Sequence, residues 1–142
     1  MTSPPVVLDT NVLVAAGFDP RSASARIVDA VKRARARMVW NDATRREIER
    51  IVQQIPPLRR QPVTELFRSE NQVLTPTHPE DFAEIPDPDD RKFAALARAA
   101  GAVLISNDKH LLESRDQLDF PVLTPAEFWG AQSQGSETSR DG

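Results

Sequence analysis

Apolar residues recur along this chain in two rhythms. Short unbroken runs, "VVL" (6–8), "RMVW" (37–40), "QVLT" (72–75), "AVLIS" (102–106) and "PVLT" (121–124), have strand length and predict about five strands. Between them the spacing switches to three and four. "SARIVDAVKRAR" places apolar residues at 25, 27, 28 and 31, with Ser22 or Ser24 as its cap. Asn41 or Asp42 opens a second helix through Ile48, Ile51, Val52 and Ile55, which Pro56 and Pro57 stop. "PVTELFRSE" predicts a short helix. "DDRKFAALARAAG" predicts the clearest one, with Phe93, Leu96, Ala97 and Ala100 on one face and Gly101 as its stop. A short helix, "PAEFWGA", follows the last strand.

Apolar strands alternating with helices define an α/β fold around a mostly parallel central sheet. At 142 residues the chain has the length of one domain, expected over residues 1–131. The polar segment 132–142 has no large apolar side chain to bury and is expected to be a disordered tail. The absence of cysteine excludes a disulfide frame and a thiolate metal site. Neither a secretory signal nor a membrane-length apolar run is present in the sequence, so the expected location is the cytoplasm, away from membranes.

Charge changes the picture. The net value of −3 hides an asymmetry. Lys32, Arg33, Arg35, Arg37, Arg45 and Arg46 make the first half basic, while acids crowd "EDFAEIPDPDD". Such asymmetry fits an acidic site beside a basic surface. Solvated helix faces are the plainer account of each run.

In parallel sheets, ligand sites gather at the carboxyl ends of the strands. Asp9 follows the first strand and Asp108 follows "LIS" in the fourth. "DPDD" opens a helix with Asp87 as N-cap, Pro88 at N1, and Asp89 and Asp90 in the first turn. Glu47 and Glu49 border opposite sides of one apolar helical stripe, and periodicity does not choose between them. Each acid alone has a structural role open to it: a cap for Asp9, Asp87 or Asp108, a surface position for Glu47. Together at one edge they repel, and protonation or a hard cation relieves that repulsion. An all-oxygen set favours Mg²⁺ or Mn²⁺. His78 and His110 are isolated, which argues against zinc.

"VVLDTNVLVAA", "NDATRREIERIV" and "DPDDRKFAALARAAGAVLISNDKHLL" together resemble the PIN-domain family, over about residues 5 to 125. The resemblance implies an α/β/α sandwich with four acids. It carries these onto Asp9 in the D-T-N signature, Glu47 ahead of "I-x-x-I-V", Asp90 opening "D-R-K-F-A-A-L-A", and Asp108 in "S-N-D". Asp87 and Asp89 are neighbours able to replace Asp90, and Glu49 is the substitute for Glu47. The family likeness implies a Mg²⁺- or Mn²⁺-dependent ribonuclease, of the kind that serves as the toxin of bacterial toxin–antitoxin pairs. RNA is then the substrate, an antitoxin protein a partner, and a homodimer the expected assembly, with Leu66, Phe67 or Trp129 as exposed apolar contributors.

In that reading Asp9, Glu47, Asp90 and Asp108 hold the cations. Thr10, Asn11 and Ser106 orient those ligands or a water. Lys32, Arg33, Arg35, Arg37, Arg45, Arg46 and Lys109 attract RNA. A haloacid-dehalogenase-type phosphatase fits less well, because Asn11 stands where its second Asp is needed. A phospho-receiver lacks paired acids after strand one and a Lys in "PVLTPAEF". A silent RNA- or protein-binding module on the same fold, or an RNA-processing nuclease, is the alternative.

Overall fold

The computed structural model describes residues 4–61 and 63–132. The expected tail lies outside this range apart from Gln132. Three parallel strands form the sheet in the order β1 (Val6–Leu8), β2 (Val103–Ile105), β3 (Val122–Leu123). Val6 pairs with Val103 and Leu8 with Ile105, and Leu104 pairs with Val122. Every residue of β1 and β2 is buried, as in strands covered on both faces.

Among the described residues, six helices pack around this sheet: α1 (Thr10–Phe18), α2 (Ala23–Lys32), α3 (Asp42–Gln53), α4 (Pro88–Ala100), α5 (Lys109–Glu113) and α6 (residues 125–132). Their caps follow the local chemistry. The Ser22 hydroxyl accepts from the Ala25 amide. Asn41 and Thr44 form a reciprocal capping box at the start of α3. Gly101 closes α4 in the left-handed region, at φ 62°.

Two of the expected strands form no ladder. "RMVW" touches β1 through the single bridge Val6–Met38, and "QVLT" touches "RMVW" in turn through Trp40–Gln72. Each meets its neighbour over one residue pair only. Both segments lie alongside the three-stranded sheet, with "QVLT" outermost. Leu74 in that segment is exposed. "PVTELFRSE" forms two 3-10 turns, Thr64–Leu66 and Ser69–Asn71, in place of one helix.

Leu66 and Phe67 are buried, and Trp129 packs half-buried against the core, so none of them offers the open apolar surface expected for a dimer. Phe67 meets Trp40 edge to face, and the Arg45 guanidinium lies over both rings. The exposed large apolar residues among those described are Phe18 and Leu74. No helix of the described residues is long and apolar enough to cross a membrane.

Candidate metal centre

β1 and β2 lie side by side and parallel, so the residues following them meet at one edge. Asp9 comes from the first and Asp108 from the second. α4 starts at the same edge and adds Asp90 from its first turn. One carboxylate oxygen from each of Asp9, Asp90 and Asp108 lies within 4.8 Å of the others.

Asp9 stands at the N-cap position of α1, yet its side chain makes no capping hydrogen bond. Its Oδ2 instead accepts from Ser106 Oγ at 2.7 Å. The same Ser106 oxygen accepts from the Asp108 amide at 2.9 Å. A fully buried hydroxyl therefore ties the two strand ends together. Asp108 does cap α5, its Oδ1 accepting from the amides of His110 and Leu111. The capping role and a place in the cluster coexist, because a carboxylate has two oxygens. Asp87 caps α4 by accepting from the Asp89 amide, which leaves Asp90 one step further on to face the cluster.

Asp9 and Asp90 are 2% and 6% exposed, the electrostatic centre of the site. Burial raises the Asp9 carboxyl above its ordinary value; the Ser106 hydrogen bond opposes this and the charge of Asp108 adds to it. Asp90 is pushed up to about 8, first by burial, then by the charges of Asp9 and Asp108. Its Oδ2 is buried with no hydrogen-bond partner, as is the Thr10 hydroxyl. An unpartnered buried carboxylate oxygen costs free energy unless a proton or a cation meets it. The donor set is all oxygen, the kind that hard divalent cations prefer.

The surrounding cleft, about 180 Å³, is also lined by Thr10, Asn11, Glu47, Asp87 and Asp89. Glu47 is nearly buried there, with its carboxylate on Arg50 Nη2 at 2.9 Å and Lys92 Nζ at 3.5 Å. Glu49 turns away and pairs with Arg45. Asn11 is exposed at the mouth. A larger cavity of about 380 Å³ lies between α1 and α2. Its single carboxylate, Asp29, offers no comparable donor set.

None of the seven basic residues expected to attract RNA lines the acidic cleft. Arg33 pairs with Asp29, Lys32 with Glu65 and Lys109 with Glu113. Arg46 bonds the Asp42 carbonyl. The cations at the cleft are Arg50 and Lys92, which no charge run announces. Their one sequence signal is spacing: each follows an acid by three residues, Glu47 and Asp89, on a helix.

A parallel sheet delivering three carboxylates to one point, with an orphaned buried oxygen among them, defines an α/β protein with a candidate metal centre. A model of the PIN domain matches residues 5–110, and the chain belongs to the PIN-domain family. No curated protein matches the chain.

Proposed function

We propose that this protein is a Mg²⁺- or Mn²⁺-dependent ribonuclease that hydrolyses RNA phosphodiester bonds, and that it serves as the toxin of a bacterial toxin–antitoxin pair in the cytoplasm. One observation carries the enzymatic reading: three carboxylates from Asp9, Asp90 and Asp108 converge with the Asp90 Oδ2 unpartnered. PIN domains are generally nucleases, and this is the donor set such chemistry needs.

Asp9, Asp90 and Asp108 would hold the cation, with Glu47 in the wall beside them. A bound cation supplies Lewis acidity, lowering the pKa of a water and stabilising the departing oxygen. Ser106 fixes the Asp9 carboxylate through its hydroxyl and Asp108 through its own oxygen. Burial and the charges of Asp9 and Asp108 push the Asp90 carboxyl up to about 8, so it favours its protonated form near neutral pH, and a cation held beside it would favour the ionised form. Thr10 and Asn11 present a hydroxyl and an amide to the same space.

The test is cleavage of end-labelled RNA by the purified full chain in Mn²⁺ and in EDTA, with Asp9→Asn, Asp90→Asn and Asp108→Asn in parallel. Cleavage in Mn²⁺ alone, lost in all three variants, supports the reading. Intact RNA with the wild type, or full activity in Asp9→Asn, refutes it. Growth arrest on expression, relieved by a neighbouring gene product that binds the chain, tests the toxin role. Sedimentation of the purified protein tests the homodimer.

A further inference from the structure

RNA approaches this site as a polyanion, and the site repels it. Six carboxylates line the cleft: Asp9, Glu47, Asp87, Asp89, Asp90 and Asp108. Among the described residues lining it, Arg50 is the one cation, and Lys92 reaches two of the lining acids. A divalent cation in the three-Asp cluster leaves the mouth acidic. Some fixed positive charge has to meet the phosphate there.

The arrangement of Glu47 is unlike that of the three aspartates. Both of its carboxylate oxygens face cations. Arg50 Nη2 donates to Oε1 at 2.9 Å and to Oε2 at 3.0 Å. Lys92 Nζ donates to Oε2 at 3.5 Å. The same two cations also border Asp89, Arg50 at 3.9 Å and Lys92 at 3.8 Å. Glu47 and Arg50 are three residues apart on α3, and Asp89 and Lys92 three apart on α4. The two helical pairs face one another and are cross-linked at the cleft.

This network holds its cations in place without exhausting them. Lys92 has three donors and two long contacts, and its side chain is only 24% exposed, so the ammonium is oriented before any ligand arrives. Arg50 is half exposed, and its planar fork suits a phosphate. Binding a phosphate there costs little reordering, because the network has already fixed the side chains.

We propose that Lys92 and Arg50 contact a phosphate of single-stranded RNA at the lip of the acidic cleft, and that Glu47 is the positioning residue for both cations, standing outside the three-aspartate cluster. The inference rests on the ribonuclease reading and assigns its substrate contacts. Contact with the backbone alone makes the grip indifferent to base sequence.

The experiment measures binding of labelled oligouridine to the full chain in Ca²⁺, across a salt series, with a gel showing that the RNA stays intact. The slope of log affinity against log salt should fall by about 0.7 in Lys92→Gln and again in Arg50→Gln, one phosphate contact each. Lys92→Arg should restore the slope. Glu47→Gln should weaken RNA binding yet keep the rise in melting temperature that Mn²⁺ produces. An unchanged slope in both glutamine variants overturns the phosphate contact. Loss of the Mn²⁺ response in Glu47→Gln, as deep as in Asp90→Asn, overturns the positioning role. Absence of cleavage in Mn²⁺ with the slopes behaving as expected removes the ribonuclease reading and supports the phosphate contact.

Discussion

Replacing Asp90 with Asn should stabilise the cation-free protein and disable it at once. The magnitude follows from the site. Asp90 titrates at about 8 in the folded chain against an ordinary 3.8. At pH 7 the unfolded chain carries it ionised, and the folded chain carries it mostly protonated. Taking up that proton costs about 4 kcal/mol, from about 3.2 pH units at 1.36 kcal/mol each. This is a ceiling, because Asp9 and Asp108 share the repulsion. Asn carries no charge and its amide donates to the neighbouring carboxylates, so a net gain of about 1–3 kcal/mol is expected. The melting temperature in EDTA should rise by roughly 3–10 °C. Excess Mn²⁺ should then reverse the order. At about 100 times its Kd a ligand stabilises the native state by about 2.7 kcal/mol, and only the wild type should receive that gain. The assay is a pair of thermal melts for each protein, one in EDTA and one in Mn²⁺. If the Asp90→Asn variant melts lower in EDTA while responding fully to Mn²⁺, the account of the cluster as mutually repelling ligands is refuted.

The same shift sets a pH dependence. Between about pH 4 and about pH 8 the folded chain binds more protons at Asp90 than the unfolded chain does. Stability in EDTA should therefore be highest at the acid end of that window and fall as pH rises toward 8, with a flatter profile in Asp90→Asn; denaturant midpoints at pH 5 and pH 8 check the sign. Ser106→Ala removes the hydroxyl that serves Asp9 and the Asp108 amide, and should cost about 1–3 kcal/mol while weakening Mn²⁺ binding roughly 10- to 100-fold in calorimetric titration. Gly101→Ala meets open space but forces φ 62° on an L-residue, so denaturant melts should show a loss of about 1–2 kcal/mol with the Mn²⁺ response unchanged.

Much of the site is legible in the residues because short-range chemistry marks it. "VVLD" and "LISND" each announce a strand end carrying an acid, and a Pro at N1 with Gly at the far end brackets the helix that carries Asp90. α1 escapes that kind of reading. "TNVLVAAGF" is apolar nearly all round, so no stripe distinguishes it from a loop or strand. The edge segments 37–40 and 72–75 look like strands because their side chains are apolar, yet pairing depends on how long two chains run together. Runs of positive charge attract the eye to 32–37, whereas Arg50 and Lys92 reach the cleft singly from two helices. Their proximity is a product of tertiary packing and appears in no local pattern. Phe67 follows the same logic, since it packs against Trp40 and Arg45, more than twenty residues earlier.

The hydrogen bond from Ser106 to Asp9 spans 97 positions of the chain. Its consequence concerns synthesis. A nascent chain that ends before β2 has the first aspartate but nothing to hold it, and Asp108 is not yet made. Joining the two ends requires closing a long loop, a step whose entropy is repaid only when β1 and β2 pair. The centre is thus among the last features to exist, and truncated products that stop short of residue 108 should be inert even where their helices form.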